Sequence, residues 1–150
     1  MEYPVELARE DDLSRIEAML MAAGLPTEGV LPLIGTFQVI RDQEGEVVAA
    51  AVIEWHAESA MESNGLLRSV VVDPAQRGNG LGKTIVRAIM ASTSRDLYLL
   101  TDSATDFFRR LGFESIDRSL APPALRQSEE FRCLCGESAA FMRRSVIREA

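Results

Sequence analysis

The sequence predicts one α/β (α+β) domain over residues 1–150, with a mixed central sheet and helices on both faces. An early hairpin is the first indication, because the turn residues Asp42 to Gly45 separate two strand-like segments. A later strand–helix–strand unit over residues 66–100 favours parallel strands in the same sheet. The composition, 47% hydrophobic and 26% charged, is that of an ordinary globular protein, and no repeat or Pro-, Gly- or Ser-rich linker divides the chain.

The individual elements follow from side-chain periodicity and from the residues that start and stop helices. Leu13, Ile16, Leu20 and Ala23 recur at helical spacing, so we expect a helix that begins near residue 10 and ends at Gly24. The other expected elements are, in chain order, strands at 3–8, 36–41 and 47–55, a polar loop at 56–65, a strand at 66–73, a helix at 81–93, a strand at 97–100, a helix at 104–111, a strand at 113–117, a helix from 122 or 123, and a strand at 139–144.

The charge balance and the sparse His and Cys content limit the functional classes. Asp plus Glu exceed Lys plus Arg by 23 to 16, and this net charge of −7 argues against a surface built for nucleic acid or anionic membranes. The longest apolar run, residues 47–53, is too short to span a bilayer, and the first residues lack signal-peptide features, so we expect a cytoplasmic protein. One His with Cys133 and Cys135 falls short of a four-ligand zinc site, so we expect two free thiols and no metal.

The strongest chemical signal lies between Ser69 and Val86, where glycines at 78, 80 and 82 separate an apolar strand from a helix. Glycines let the backbone approach a ligand closely, and the N–H groups of a helix's first turn suit a phosphate. A P-loop would need glycine in place of Arg77, and a dinucleotide-binding GxGxxG turn would need it in place of Lys83. The segment therefore predicts an anion-binding turn of another kind. The plain alternative is a strand–turn–helix connection with solvated Arg and Lys.

Two motifs carry a resemblance to a known family. The run QRGNGLG at 76–82 resembles the acyl-CoA pyrophosphate loop of the GCN5-related N-acetyltransferases (GNAT), Gln/Arg-x-x-Gly-x-Gly/Ala, with Arg77, Gly80 and Gly82 meeting the pattern. The run at 104–113 resembles the family's second signature, AxxFYxxxGF, and follows in the right order. The resemblance implies a GNAT fold with splayed parallel central strands, acetyl-CoA as co-substrate, and transfer of its acetyl group to an amine.

Within that family, the segments 66–69, 97–101 and 121–131 resemble the arsenic-resistance branch. Enzymes of that branch are similar to, or include, acetyltransferases that detoxify arsinothricin, a glutamate-like amino acid carrying an arsinate. The resemblance implies a small amino-acid-like acceptor, and homodimers occur in the family. Three alternatives stay open: another acceptor such as a different amino-acid antibiotic or a polyamine, a CoA- or arsenical-binding sensor without turnover, and an interaction module with an empty turn.

The resemblance also implies the residues that bind the co-substrate. The main chain of Val70 to Val72 pairs with the pantetheine arm, the amides of Arg77 to Lys83 bind the pyrophosphate, and the Val71 N–H acts in catalysis by holding the oxyanion. In the second signature Phe108 replaces the family's tyrosine and cannot protonate the leaving thiolate. The predicted cofactor-binding residues are Val70, Val71, Val72, Gln76, Arg77, Gly78, Asn79, Gly80, Leu81, Gly82, Lys83, Phe107 and Phe108.

Acetylation of an amine needs a base, because the acceptor arrives as an ammonium. Glu54 is the first candidate, since a carboxylate that ends an apolar strand is partly desolvated, which raises its pKa; the alternative is a solvated edge glutamate. His56, on the same face if the strand continues, is the second candidate. Arg68 in an apolar strand needs a partner, either a substrate anion or an internal salt bridge. Arg118 and Arg126 are candidates for a second anion contact or are solvated surface arginines.

Overall fold

The computed structural model describes residues 4–59, 62–127 and 139–145. The helices are α1 (Leu13–Ala22), α2 (Leu81–Ala91), α3 (Thr105–Arg110) and α4 (Pro123–Arg126). The strands are β1 (Val5–Leu7), β2 (Gln38–Arg41), β3 (Val47–Ser59), β4 (Glu62–Val72), β5 (Leu97–Thr101), β6 (Glu114–Ser115) and β7 (Ala140–Arg144). Short 3-10 helices cover Glu10–Asp12, Leu31–Thr36, Pro74–Gln76 and Arg118–Leu120. Each helix and strand predicted from the sequence has a counterpart here.

The seven strands form one mixed sheet in the order β1-β2-β3-β4-β5-β7-β6. β2 pairs antiparallel with β1 and β3, and β7 pairs antiparallel with β5 and β6. β4 and β5 run parallel, with Gly65 opposite Leu97 and Leu66 opposite Tyr98. The predicted α/β class, with a sheet that is part antiparallel and part parallel, is therefore confirmed.

The first of two compact units comprises Met1–Ile53 and Arg68–Ser92. The apolar residues of α1 recur at helical spacing and form one buried stripe, which belongs to a core shared with the hairpin strands; its members are Ile16, Met19 and Leu20. The Asp12 carboxylate, at the start of α1, pairs with Arg41 of β2, Oδ2 to Nη2, at 2.6 Å. This unit contains the glycine turn and α2.

The second unit comprises Glu54–Leu67 and Thr93–Ala150. Its described core contains Leu66 and Leu125, and the rings of Tyr98 and Phe141 stack there with centroids 5.6 Å apart. This unit contains the candidate base, Glu54, and the second signature.

The predicted polar loop at 56–65 is wrong. β3 continues to Ser59 and β4 begins at Glu62, so that most of the segment is strand. Polar residues without Pro can extend a strand, because the backbone ladder does not depend on apolar side chains. Gly65 suggested a turn, yet it pairs with Leu97 in the sheet interior.

Several expectations stay predictions after the fold is known. Cys133 and Cys135 lie outside the described residues, so nothing bears on their thiols. The expectation of one domain over 1–150 is not tested either. In the described part of the chain no helix has the length and apolar character needed to cross a membrane.

Candidate functional site

The glycine turn begins where β4 ends. Asp73 caps the 3-10 helix Pro74–Gln76, its Oδ1 accepting a hydrogen bond from the Ala75 N–H at 3.0 Å. Gly78 and Gly80 follow with φ of 90° and 78°, values in the left-handed region that side chains other than glycine rarely adopt. A Cβ added at either position would meet no described heavy atom within 4 Å. Backbone conformation, and not crowding, is therefore what requires glycine at both positions.

α2 begins directly after Gly80 and offers its first amides to a ligand. The residues of its first turn, Leu81 to Thr84, include no acidic side chain, and Gly80 has no side chain that could cap the helix. The Thr84 N–H and Oγ1 both donate to the Gly80 carbonyl at 3.0 Å, which closes the first turn. The N-terminal end of a helix carries partial positive charge, and Lys83 adds a full one. These groups fit a pyrophosphate.

The side chains of the turn are arranged around that helix start. Arg77, Asn79 and Lys83 are exposed. Asn79 Nδ2 donates to Gln76 Oε1 at 3.1 Å, which ties the 3-10 helix to the residue before Gly80. The structure thus brings together the predicted residues Gln76 to Lys83 in one short segment.

A kink in β4 is a feature that the sequence did not reveal. Ser69 has φ 58° and is the only non-glycine residue with positive φ in the described part of the chain. A left-handed residue interrupts the regular pleat of a strand, although β4 continues as strand to Val72. Val71, two residues later, is 4% exposed, and Val70 and Val72 are half-buried. No pattern at Ser69 distinguishes it from an ordinary strand serine.

Glu54 and His56 form a close pair in β3. Nε2 of His56 lies 2.7 Å from Oε1 of Glu54, and the two side chains are 21% and 20% exposed respectively. Trp55 between them is 45% exposed, as the alternation of a strand requires. Glu54 was expected at the end of a strand, either as a partly desolvated base or as a solvated glutamate at the edge. It lies instead within β3, because the strand continues to Ser59.

Arg68 lies in β4 one residue before the kink and is 4% exposed. Its Nη2 donates to the main-chain carbonyl of Glu28 at 2.6 Å. An internal contact therefore exists, and both roles predicted for Arg68, substrate anion contact and internal salt bridge, stay predictions.

The remaining predicted residues lie in the second unit. Phe108 is 6% exposed and makes edge-to-face contacts with Phe107 and Phe113, with centroids 5.0 and 5.7 Å away. Arg118 Nη2 donates to the Ala139 carbonyl at 2.7 Å, while Arg126 is exposed in the last turn of α4. The roles predicted for these residues toward cofactor or substrate stay predictions. Within the described ranges, no three His, Cys, Asp or Glu side chains are grouped so as to hold a metal ion.

Comparison with known protein families shows to which family the chain belongs. The family model of the acetyltransferase (GNAT) domain matches residues 34–115, more than half of the chain. The chain belongs to the GNAT acetyltransferase family. The matched range includes β2 to β6 and the whole glycine turn, so the motif and the fold identify the same family.

Solved structures give the same fold. Rv2747 from Mycobacterium tuberculosis, in complex with CoA and NLQ, is 22% identical, with a TM-score of 0.78 over 96% of this GNAT chain and 99% of its own. N-acetylglutamate synthase from Neisseria gonorrhoeae, complexed with coenzyme A and N-acetyl-glutamate, is 18% identical with a TM-score of 0.81; the match covers 99% of this chain and 36% of the synthase. A protein proposed to be a phosphinothricin N-acetyltransferase is 16% identical with a TM-score of 0.70, covering 98% and 100%.

These findings establish the activity class. The GNAT chain is an N-acetyltransferase. Two of the similar solved structures hold CoA, the part that the predicted co-substrate, acetyl-CoA, shares with them. The glycine turn has the φ angles and helix-start amides that a pyrophosphate needs, so the residues present fit this co-substrate.

Proposed function

We propose that this N-acetyltransferase acetylates the amine of a small amino acid with an anionic side group, and that arsinothricin is its acceptor. The observation that carries the proposal is the Glu54–His56 pair, Nε2 to Oε1 at 2.7 Å, in a strand whose preceding residues 47–52 are buried apolar side chains. A carboxylate and an imidazole in such a place suit removal of a proton from an ammonium. The buried cation of Arg68 supports an anionic acceptor.

The turn and β4 bind the co-substrate in this proposal. The amides of Arg77 to Lys83 hold the pyrophosphate, and the main chain of Val70 to Val72 pairs with the pantetheine arm. Acetyl-CoA supplies the activated acetyl group. The Val71 N–H donates to the acyl oxygen, where negative charge develops during transfer. The left-handed backbone at Ser69, two residues earlier, supports this role because it breaks the regular pleat of β4 next to Val71.

Glu54 takes the proton from the acceptor ammonium, which frees the nitrogen lone pair for attack on the acyl carbon. His56 donates a hydrogen bond to the Glu54 carboxylate when its proton lies on Nε2 and so holds the carboxylate in place. The nitrogen–carbon bond forms, the carbon–sulfur bond breaks, and the thiolate leaves with its electron pair. Phe108 has no proton to give, so the thiolate takes one from solvent.

Arsinothricin is chosen from the arsenic-resistance resemblance, and two solved structures support the acceptor class. One is a synthase bound to N-acetyl-glutamate, and another is proposed to act on phosphinothricin, an amino acid with a phosphinate. These ligands and substrates are those of the two other proteins. Their low sequence identity to this chain supports a shared fold only. Arg118 and Arg126 are proposed as further anion contacts.

The test is CoA release followed with a thiol reagent. Purified protein and acetyl-CoA are offered arsinothricin, phosphinothricin, glutamate, other amino acids and polyamines. We expect release with arsinothricin well above the rest. Faster release with a polyamine would contradict the anionic acceptor, and silence with every acceptor, while CoA still raises the melting temperature, would favour a sensor, the interpretation that Phe108 supports.

The role of Glu54 has its own variants. Glu54→Gln removes the proton acceptor, so we expect kcat to fall by about a hundredfold at neutral pH and by less in alkali, where more acceptor is already neutral. His56→Gln is the matched control, because its amide can still donate to Glu54. We expect a much smaller loss. If His56→Gln lost as much as Glu54→Gln, or if the Glu54→Gln ratio were flat across pH, the assignment of Glu54 as base would be wrong.

A further inference from the structure

We propose that Arg15 is a positioning residue for the pyrophosphate-binding turn and acts on it through the carboxylate of Asp73. The inference rests on the proposed binding of CoA at that turn. Arg15 lies on α1 and Asp73 directly follows β4, and both belong to the first unit. No motif includes Arg15, and the two residues are 58 positions apart in the chain.

Arg15 donates hydrogen bonds both to the start of β3 and to the residue that follows β4. Its Nη2 donates to Asp73 Oδ2 at 2.7 Å, and its Nε donates to the Val47 carbonyl at 3.0 Å. Val47 begins β3, and the next residue, Val48, accepts a hydrogen bond from the Asp73 N–H at 2.8 Å. The guanidinium therefore fixes the carboxylate of Asp73 relative to the strand that its own main chain already pairs with.

Asp73 passes this constraint to the turn. Its Oδ1 accepts from the Ala75 N–H at 3.0 Å, and its carbonyl accepts from the Gln76 N–H at 2.8 Å. Gln76 in turn accepts from Asn79, the residue before Gly80. One oxygen of the carboxylate thus shapes the 3-10 helix while Arg15 holds the other, and the chain of hydrogen bonds ends at the start of α2.

The charges argue for positioning over direct attraction of the ligand. Arg15 and Asp73 are 32% and 24% exposed at their side chains. Arg15 also contacts a second carboxylate, Glu46, Nε to Oε1 at 3.4 Å, so its positive charge is largely neutralised at a distance. The Ala75 N–H, then the Arg15 guanidinium, lowers the pKa of Asp73, so the carboxylate is ionised at neutral pH. The negative charge of Asp73 repels a pyrophosphate. Asp73 can therefore favour binding only if its stabilisation of the turn outweighs this repulsion.

That contrast gives a decisive variant, Asp73→Asn. The amide oxygen still caps Ala75, but the ion pair with Arg15 is gone and so is one negative charge. If the pair acted only through charge, CoA would bind more tightly to Asp73→Asn. Positioning predicts weaker binding, by about fivefold, which matches the typical strength of a partly exposed ion pair.

The experiment measures Kd for CoA by calorimetry, and KM and kcat with acetyl-CoA, for wild type, Arg15→Met, Asp73→Asn and the double variant. We expect each single variant to raise Kd and the KM for acetyl-CoA about fivefold with kcat within about twofold, and the double variant to be no worse than either. Arg41→Met is the control, because it removes ion pairs with Asp12 and Glu6 in the same unit, and no described bond joins Arg41 to the pyrophosphate-binding turn. It should lower the melting temperature and leave Kd unchanged.

The outcomes separate this inference from the proposed function. If wild type bound no CoA, the turn's assigned ligand would be wrong and the inference would fall with it. If wild type bound CoA but Arg15→Met bound equally well, or Asp73→Asn bound more tightly, only the positioning role would be overturned. Equal losses of CoA affinity in Arg41→Met would also overturn it, since general destabilisation would then explain the effect.

Discussion

Replacing Gly80 by alanine isolates the backbone conformation on which the turn depends. Gly80 has φ 78° and ψ 11°, and an added Cβ would meet no described atom within 4 Å. The cost is therefore conformational alone, about 1–2 kcal/mol for an L residue in the left-handed region. The chain either bears this cost or leaves the conformation, which displaces the amides of Leu81 and Gly82. We expect Kd for CoA to rise about tenfold, the equivalent of about 1.4 kcal/mol.

The chain offers a matched control in the hairpin turn. Gly45 has φ 82°, and a Cβ added there would also meet open space, so Gly45→Ala carries the same conformational cost away from the CoA turn. Gly35 is outside the left-handed region and also open, so Gly35→Ala should be neutral. Chemical unfolding gives the stability of each variant, and calorimetry gives Kd for CoA. We expect Gly45→Ala and Gly80→Ala to lose similar stability while only Gly80→Ala loses affinity; equal affinities in the two variants would refute the reasoning.

Two further predictions concern Arg68 and Asp12. Arg68→Lys keeps the charge and loses the planar fork, so we expect the KM for an anionic acceptor to rise about tenfold in steady-state kinetics while the KM for acetyl-CoA is unchanged; an unchanged KM for the anionic acceptor would show that Arg68 does not bind it. The hydrogen bond from Arg41 lowers the pKa of Asp12 against the opposing effect of burial, so this pair stabilises the fold at neutral pH and the contribution is lost as pH falls through the lowered pKa. Asp12→Asn should cost about 2 kcal/mol of unfolding free energy at pH 7, between the values for exposed and buried pairs, and the deficit should shrink below pH 3.8; a constant deficit would contradict it.

The sequence predicted those parts of the molecule that local chemistry determines. Gly78 and Gly80 were identified because glycine lets the backbone approach a ligand closely, and the structure has positive φ at both. The helix α1 followed from its apolar spacing, and its start and end lie close to the expected residues. Both features depend on residues within a few positions of one another.

The parts that were missed depend on residues far apart or on main-chain geometry without a sequence signal. Ser69 has φ 58° although serine has no special preference for that region. Arg15 and Asp73 meet only after α1 packs on the sheet, so no spacing predicts their contact. The Glu54–His56 pair was conditional on the strand continuing, and the polar residues after Trp55 favoured a loop instead.

In the proposed function, the co-substrate is therefore recognised by the backbone and the acceptor by side chains. The pyrophosphate is held by backbone amides whose positions depend on φ angles at Gly78 and Gly80, so the turn needs the same residue types whatever the acceptor is. The acceptor is recognised by side chains, with Glu54 and Arg68 as the proposed groups, and side chains can change without altering the turn. Variants of the turn should consequently change the KM for acetyl-CoA equally with every acceptor. Variants of Arg68 should change the ranking of acceptors and leave CoA affinity as it is.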